Sequence, residues 1–274
     1  MQFIEYPPFK LEYLIYGSGH KPVIFFHGFG RTASDAAFFL PLLKEDQVLL
    51  SVNLFAHGKS EFPSDRMESS PLTILEWKKL VELLLAPYNS NTKIHLIGYS
   101  MGGRVAMMTS LIFPERTDTI LLLAPDGFKI NNLYRFAVGT AIGKWLYRRL
   151  IQNPKPLFFV ATILNNAGII NDKLLRFVHV HLDTVEKRWQ VHDAWLIYRN
   201  FFPDLDQLAN RINDKCFRFN MIFGKYDSVI KPELGLRFQK KIYSEKQFHV
   251  VETGHRILEK KTLEYITINN LWPL

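Results

Sequence analysis

The chain has 274 residues, of which 47% are hydrophobic and 22% charged, with a net charge of +8 and a single cysteine, Cys216. This balance is typical of a globular protein with a sizeable core, and one cysteine excludes an internal disulfide. The sequence lacks both the roughly 18–20 uncharged residues of a membrane span and the apolar segment of a signal peptide, so a cytoplasmic protein is expected.

Predicted strands and helices alternate over the first half of the chain. Short apolar or alternating runs predict strands at 11–16, 22–26, 48–53, 93–97 and 119–124. Apolar periodicity predicts helices at 32–43, 72–85 and 101–113. Such alternation is typical of a mostly parallel sheet flanked by helices on both faces, which places the chain in the α/β class.

The alternation stops after residue 127, where the pattern becomes helical, aromatic-rich and basic, and it resumes near residue 216. The later elements are strands at 217–223 and 247–251 and helices at 232–242 and 258–271. We therefore predict an α/β core formed by residues 1–127 and 216–274, interrupted by a helical insertion, 128–215. Within the insertion, the apolar segment 156–170 is predicted to be a buried or ligand-facing helix.

A G-x-S-x-G pentapeptide, residues 98–102, directly follows the apolar run 94–97. In a strand–turn–helix context this pattern presents a strained serine, here Ser100, above the edge of the sheet. The helix start beside it directs free N–H groups toward developing negative charge. Ser100 is therefore the candidate nucleophile.

A serine hydroxyl needs a base to accept its proton and an acid to orient that base. His255 follows the predicted strand 247–251 and is the candidate base, while Asp227 follows the strand 217–223 and is the candidate acid. Both lie at the carboxyl ends of predicted parallel strands, where open α/β sheets place their sites.

Other candidates are assigned structural roles. Asp126, the rival acid, lies in a Pro-Asp-Gly turn, and His27 and His57 each precede a glycine in a loop that they are expected to shape. His179 and His181 are two residues apart in a helical pattern, a spacing that does not suit a shared metal. No metal site is therefore expected.

Acyl chemistry also needs hydrogen-bond donors for the oxygen that becomes negatively charged. The glycine-rich segment 26–30 follows a buried strand, which makes the backbone N–H of Phe29 one candidate donor. The N–H of Met101, immediately after the nucleophile, is the other.

These motifs resemble those of the α/β-hydrolase superfamily over essentially the whole chain. The resemblance covers the oxyanion loop at 27–30, the nucleophile elbow at 98–103, the acid segment at 224–227, the base segment at 254–255 and a cap domain in the insertion. Residues 53–60 resemble the loop usually written D-x-x-G-x-G-x-S. They depart from it with Asn53 at the acidic position and Ala56 at the first glycine.

The resemblance implies a Ser-His-Asp hydrolase that works through an acyl-enzyme and needs no cofactor. Serine at the elbow argues against dehalogenases and epoxide hydrolases, which carry aspartate there. The cap is expected to cover Ser100, and its apolar side chains could line an acyl pocket: Phe136, Trp145, 157–160, Phe177, Trp189, Trp195 and Tyr198. We therefore expect a small-to-medium hydrophobic carboxylic ester as substrate.

Three other functions stay open: carbon–carbon bond hydrolysis of a diketone-type substrate, acyl transfer, and ligand binding without catalysis. Basic residues cluster between Lys129 and Lys155, but without an RNP motif, zinc spacing or basic helix-turn-helix, so nucleic acid is not an expected partner. We interpret them as a solvated helix face. Peripheral contact with an anionic membrane stays open, as does the oligomeric state.

Overall fold

The computed structural model describes residues 1–168, 172, 175, 176, 179, 182–243 and 247–272. Eight strands form one sheet in the order β1-β2-β4-β3-β5-β6-β7-β8. The strands are β1 (Gln2–Tyr6), β2 (Phe9–Tyr16), β3 (Lys21–Phe26), β4 (Gln47–Val52), β5 (Ile94–Tyr99), β6 (Thr117–Leu123), β7 (Arg218–Gly224) and β8 (Phe248–Val251).

Strands β3 to β8 pair in parallel, and β1 and β2 add an antiparallel edge. All six residues of β4 and of β5 are buried, as expected for parallel strands covered on both faces. The predicted mostly parallel α/β sheet is therefore confirmed. Because β3 to β8 run in the same direction, the loops after them meet at one edge of the sheet.

The α-helices fill the connections between strands. They are α1 (Ile74–Leu85), α2 (Met101–Ile112), α3 (Asn132–Gly139), α4 (Ala141–Gln152), α5 (Lys155–Asn166), α6 (Val185–Ile197), α7 (Leu205–Asn213), α8 (Pro232–Gln239) and α9 (Lys260–Ile268). Helix α1 begins with a capping box in which Thr73 and Glu76 satisfy each other's backbone N–H groups. None of the helices described here is long and apolar enough to cross a membrane.

Two elements differ from the predictions. Strand β1 was not predicted, because Ile4 is its one buried residue and an edge strand of this kind carries little apolar signal. The predicted α-helix at 32–43 is wrong in type, since Ala33–Leu42 is a 3₁₀ helix containing Pro41. Proline lacks the N–H that an α-helix interior requires and disfavours the α conformation in the residue before it.

The chain forms two compact units. The first comprises Met1–Glu61, Leu72–Lys129 and Phe201–Leu274, and the second comprises Phe62–Pro71 and Ile130–Asn200. The boundaries differ from those of the predicted insertion, 128–215, because α7 belongs to the first unit and the segment Phe62–Pro71 to the second. That the insertion acts as a lid stays a prediction.

Long-range hydrogen bonds attach Phe62–Pro71 to the helices of the second unit. The Arg199 guanidinium donates to the carbonyl oxygens of Met67 and Glu68, and Lys144 Nζ donates to the same Glu68 oxygen at 2.8 Å. These contacts join residues more than 70 positions apart, so no local sequence pattern could have predicted them.

Helix α5 corrects the prediction of a buried segment at 156–170. Ala161 is its buried residue, whereas Phe159, Val160 and Ile163 are exposed. Residues 169 and 170 lie outside the described residues. The apolar run predicts a buried or ligand-facing helix. The first of these is wrong for the described part of α5, and that the helix faces a ligand stays a prediction.

Candidate active site

The turn between β5 and α2 holds Ser100 in a strained backbone conformation, with φ 51° and ψ −119°. Backbone hydrogen bonds fix it from both sides. The Ser100 N–H donates to the Leu123 carbonyl at the end of β6, and its carbonyl accepts from Gly103 at 2.8 Å and Asp126 at 2.9 Å. A conformation of this kind persists only where the surrounding structure over-determines it.

Two glycines let the turn lie against the sheet. A Cβ atom on Gly102 would overlap the carbonyl of Phe26 at the end of β3, and one on Gly98 would lie 2.6 Å from the Gly102 carbonyl oxygen. The spacing in the G-x-S-x-G motif therefore reflects close backbone approach, as the sequence predicted.

The structure brings the three predicted side chains, Ser100, His255 and Asp227, into one hydrogen-bonded chain. Ser100 Oγ lies 3.0 Å from His255 Nε2, and His255 Nδ1 lies 2.8 Å from Asp227 Oδ2. Since the carboxylate only accepts, Nδ1 carries a proton and donates to it, which leaves Nε2 of a neutral ring free to accept the serine hydroxyl proton.

Asp227 is buried, and hydrogen bonds to its second carboxylate oxygen, Oδ1, hold the side chain in place. Its Oδ1 accepts the backbone N–H groups of Val229 and Ile230, both at 2.8 Å. One carboxylate oxygen thus anchors the side chain to its own loop, while the second orients His255.

Tyr99, the last residue of β5, fixes the loop that carries His255. Its hydroxyl donates to the His255 carbonyl at 3.0 Å, and the two rings lie 5.8 Å apart. Burial raises the pKa of Tyr99 to about 12, so the phenol stays neutral and keeps its proton for this hydrogen bond.

The loop after β3 lies directly against the nucleophile. A Cβ atom on Gly28 would lie 3.2 Å from Ser100 Cβ, so Phe29 follows a residue in contact with the serine. On the other side, α2 begins at Met101, whose N–H therefore has no acceptor within the helix. The oxyanion roles of Phe29 and Met101 stay predictions.

His27 and His57 link neighbouring loops through neutral rings. His27 Nε2 accepts from Leu54 N–H at 3.0 Å, and His57 Nε2 accepts from Gly30 N–H at 2.9 Å. Burial lowers the pKa of His27 to about 3 and that of His57 to about 4. Both histidines shape their loops, as predicted.

Asp126, the rival acid, takes part in a different set of contacts. Its Oδ1 accepts from Gly127 N–H at 2.8 Å, and its Oδ2 lies 3.7 Å from Arg104 Nε. His255 instead contacts Asp227. The structure therefore gives Asp126 the turn-forming role that its Pro-Asp-Gly sequence predicted.

The sequence analysis missed Arg104, a buried cation on α2 four residues after the nucleophile. Its guanidinium lies over the ring of Phe202, 4.3 Å from the centroid, and its Nε has no hydrogen-bond partner among the described residues. The available signal was its position in the first turn of α2, close behind the G-x-S-x-G motif.

The sequence analysis also missed Glu12, which explains why the 53–60 loop has Asn53 at the position of the familiar acid. Asn53 Nδ2 donates to Glu12 Oε2 at 2.7 Å, and Lys59 N–H donates to the same oxygen at 2.6 Å. Glu12 on β2 thus supplies a buried carboxylate where the familiar loop has its own acid. Ala56, at the position of the first glycine, has φ 67°.

The predicted acyl pocket is partly contradicted. Phe136, Trp145 and Phe159 are exposed, so they do not line an enclosed pocket in this structure, whereas Tyr198 is fully buried. Phe177 lies outside the described residues. Aromatic residues of a helical insertion show the same periodicity whether they face solvent or the core, so the sequence could not separate the two kinds of position.

Neither a metal cluster nor the cavity at the opposite edge of the sheet adds to this site. Among the described residues, which include His179 but not His181, no cluster of three or more His, Cys, Asp or Glu side chains could hold a metal. A cavity of about 640 Å³ opens near the starts of β6 and β7, where Asp118 and Arg218 pair at 2.7 Å. It lies at the edge of the sheet opposite Ser100, away from the carboxyl ends that carry chemistry in such folds.

Comparisons with known proteins agree with this geometry. The family described as alpha/beta hydrolase fold matches residues 21–149. A 2-hydroxy-6-oxononadienedioate/2-hydroxy-6-oxononatrienedioate hydrolase of Pseudomonas putida is 27% identical over 90% of this chain and 85% of its own length. A serine hydrolase-like protein of Danio rerio is 29% identical over 43% of this chain and 36% of its own length.

Among solved structures, a thermophilic esterase from Thermogutta terrifontis superposes with a TM-score of 0.66 at 16% identity, covering 98% of this chain and 97% of the esterase. The chain spans less than half the length of the first curated relatives it matches. Residues 21–149 thus match the α/β-hydrolase family, and the superposition shows the same fold over nearly the whole chain; both bear out the predicted resemblance and the predicted fold. The curated proteins that the chain resembles include serine hydrolases.

Proposed function

We propose that the protein hydrolyses small-to-medium hydrophobic carboxylic esters through an acyl-enzyme, with Ser100 as nucleophile, His255 as general base and Asp227 as the orienting acid. The observation that carries the proposal is the continuous chain Ser100 Oγ–His255 Nε2–Asp227 Oδ2, with separations of 3.0 and 2.8 Å. A hydrogen-bonded nucleophile and base, with the base oriented by a third group, is the geometry that acyl transfer requires.

In the first half-reaction, Ser100 Oγ bonds to the ester carbonyl carbon while His255 Nε2 accepts the hydroxyl proton. The tetrahedral intermediate then expels the alcohol, which takes that proton from His255, and an acyl-serine remains. In the second half, a water attacks the acyl carbon, His255 accepts its proton, and the carboxylic acid leaves as the proton returns to Ser100.

The negatively charged oxygen of both intermediates is assigned to the backbone N–H groups of Phe29 and Met101. Support comes from the position of the 27–30 loop against Ser100 and from the start of α2 at Met101. Donors of this kind contribute about 10²–10³ in rate each.

The test is steady-state hydrolysis of p-nitrophenyl esters, from acetyl to dodecanoyl, by the wild type and Ser100→Ala. Turnover that depends on acyl length and disappears in the variant is expected. Equal rates for the two proteins would contradict the assignment of the nucleophile. Activity that depends on Ser100 but occurs only with non-ester carbonyl substrates would contradict the ester.

Hydrolysis of a carbon–carbon bond in a carboxylate-bearing diketone is the second candidate. One observation favours it: Arg104 is a buried cation whose neighbour Asp126 donates its N–H to the Ser100 carbonyl. The Pseudomonas putida relative, whose name specifies a dioate, matches most of the chain. An arginine guanidinium binds a carboxylate through two parallel hydrogen bonds.

Arg104→Gln and Arg104→Lys separate the two candidates. For a carboxylate-bearing diketone, we expect the Gln variant to raise KM by about tenfold or more and the Lys variant to raise it less. Hydrolysis of p-nitrophenyl butyrate should change little in both. An equal effect on both substrates would mean that Arg104 supports the fold around the elbow rather than the substrate carboxylate.

A further inference from the structure

Helices α3, α4 and α5 of the second unit expose large apolar side chains. Ile142 and Trp145 on α4 are 69% and 58% exposed, and Phe159 on α5 is 67% exposed. Single exposed apolar residues are ordinary on protein surfaces, whereas several on successive helices indicate a surface that binds something.

The exposed residues of α4 form one stripe along the helix. Ile142, Trp145, Leu146 and Arg149 occupy the spacing i, i+3, i+4 and i+7, which places them on one face. Ile151, close to the opposite side, is buried. The solvent-facing side of α4 is thus apolar around a cation, the reverse of an ordinary amphipathic helix.

The same spacing recurs on α5, where Pro156, Phe159, Val160 and Ile163 are all exposed. On α3, Leu133 and Phe136 are three residues apart and also exposed. Three successive helices therefore carry apolar stripes, and the set of exposed residues on α3, α4 and α5 is called the α3–α5 surface below.

The surroundings of these stripes are strongly basic. No Asp or Glu occurs from residue 127 to residue 171, whereas six basic residues do: Lys129, Arg135, Lys144, Arg148, Arg149 and Lys155. Among the described residues, the Glu68 carboxylate pairs with Arg148 at 3.3 Å, and the Asp172 carboxylate accepts from Asn165 at the end of α5 at 3.0 Å. The Arg149 guanidinium lies 5.5 Å from the Trp145 ring centroid, so cation and apolar stripe are adjacent.

We propose that the α3–α5 surface docks on an anionic lipid membrane. Tryptophan, phenylalanine and aliphatic side chains enter the boundary between headgroups and acyl chains, while neighbouring Arg and Lys side chains bind lipid phosphates. A second copy of the chain is disfavoured as the occupant, because a two-fold interface would place this surface, with its excess of Arg and Lys, against itself.

The first test is co-sedimentation of the full chain with vesicles of neutral phosphatidylcholine and with vesicles containing roughly 30 mol% phosphatidylglycerol. We expect binding to the anionic vesicles to be at least about tenfold stronger, and to weaken as salt screens the charges. Equal binding to both vesicle types, or no binding to either, would overturn the proposal.

Charge reversals with a matched control test the basic component. Arg135→Glu/Arg149→Glu should weaken binding to anionic vesicles by about 30-fold, since each basic residue near such a surface contributes about a fivefold change. Lys78→Glu/Lys79→Glu on α1 makes the same change in net charge at exposed positions and should have a much smaller effect.

The double variant Ile142→Ser/Trp145→Ser tests the apolar component. Its control is Ile74→Ser/Leu75→Ser on α1, which removes apolar side chains that are also exposed, Leu75 at 77%. Only the first pair should lose vesicle binding, with thermal unfolding of all variants followed by circular dichroism to confirm that they fold. In the wild type, vesicles should shift tryptophan emission to shorter wavelength, and Trp145→Phe should bind but lose most of that shift.

The decisive alternative is self-association through the same surface. If Ile142→Ser/Trp145→Ser abolished a dimer seen by sedimentation velocity but left vesicle binding unchanged, the surface would belong to a second copy and the membrane proposal would be wrong. Equal loss of vesicle binding in the α1 control variants would also overturn it.

Discussion

Two loops of the first unit, those of Ser100 and Ala56, can be compared because each holds a non-glycine residue at positive φ, and they differ in what that strain achieves. Ser100 has φ 51° and Ala56 has φ 67°. The strained conformation of Ser100 places its hydroxyl against His255, and the neighbouring main chain fixes it. Ala56 presents no reactive group, and its loop is held through Glu12 and Asn53. Under the proposed function, strain is therefore required for chemistry in the Ser100 loop and incidental in the Ala56 loop.

The largest expected effect comes from breaking the functional loop. Ser100→Ala should lower kcat by about 10⁴–10⁶, because the three side chains act as a unit. Ser100→Gly should be equally inactive and, because glycine accepts positive φ, more stable than Ser100→Ala. Ester kinetics and urea unfolding measure both, and a Gly variant no more stable than the Ala variant would show that the turn is not strained.

Removing the charge of Asp227 tests the Ser100 loop through His255, the residue that Asp227 orients. Asp227→Asn should lower kcat by about 10⁴, because the amide no longer stabilises the protonated imidazole or selects its tautomer. Asp126→Asn is the matched control and should reduce the rate by less than about tenfold. A larger loss in the control would transfer the acid role to Asp126.

Acid should weaken the hydrogen bonds by which His27 and His57 link the 27–30 loop to the 53–60 loop that contains Ala56. In the folded state the pKa values of His27 and His57 are lowered to about 3 and about 4, against 6.5 for an unburied histidine. Below pH 6.5 the unfolded chain therefore binds protons that the folded chain does not. The free energy of unfolding should therefore be highest above pH 6.5 and should fall progressively below it, by about 2 kcal/mol per histidine at pH 5.

The measurement is urea unfolding between pH 7 and pH 4. His57→Asn, which keeps a hydrogen-bonding side chain without titrating in this range, should flatten the pH dependence. An unchanged pH dependence in this variant would show that His57 is not the group responsible.

Restoring the familiar acid in the second loop should destabilise it. In Asn53→Asp, a carboxylate replaces the amide that donates to Glu12 at 2.7 Å, so two buried negative charges meet. We expect a loss of about 2–3 kcal/mol at pH 7, which Glu12→Gln on the same chain should largely recover. If Asn53→Asp alone were neutral, Glu12 would not be the compensating carboxylate.

The smallest effect is relief of the incidental strain. Ala56→Gly should raise the free energy of unfolding by about 0.5–1 kcal/mol, because glycine accepts φ 67° without a Cβ clash. Activity should stay within about twofold of the wild type. Chemical denaturation measures the change, and a destabilised variant would contradict the proposed strain.

Most of the first unit could be predicted from sequence, because its information is local. Buried parallel strands are continuous apolar runs, and the elbow is a five-residue motif. The positions of Asp227 and His255 followed from one topological rule, that the carboxyl ends of parallel strands share an edge. The 3₁₀ helix Ala33–Leu42 was mistaken for an α-helix because the effect of Pro41 was underestimated.

What the sequence could not give was long-range pairing. Glu12 compensates for Asn53 from a strand 41 residues away, and Arg199 holds the carbonyls of Met67 and Glu68. In the second unit, periodicity located helices but not which face meets solvent, so exposed residues such as Trp145 were assigned to a pocket. Which face of a helix is buried depends on tertiary contacts, and these leave no local pattern in the sequence.

The backbone hydrogen bonds around Ser100 have a consequence for how the molecule opens. The Ser100 amide is bonded to β6, and the carbonyl of the same residue to the loop after that strand, so neither can be released while the central sheet persists. Amide hydrogen exchange at the nucleophile should therefore require the rarest, global opening. Local opening of the outer helices should therefore leave Ser100 in place, and the proposed activity should be lost only when the central sheet unfolds.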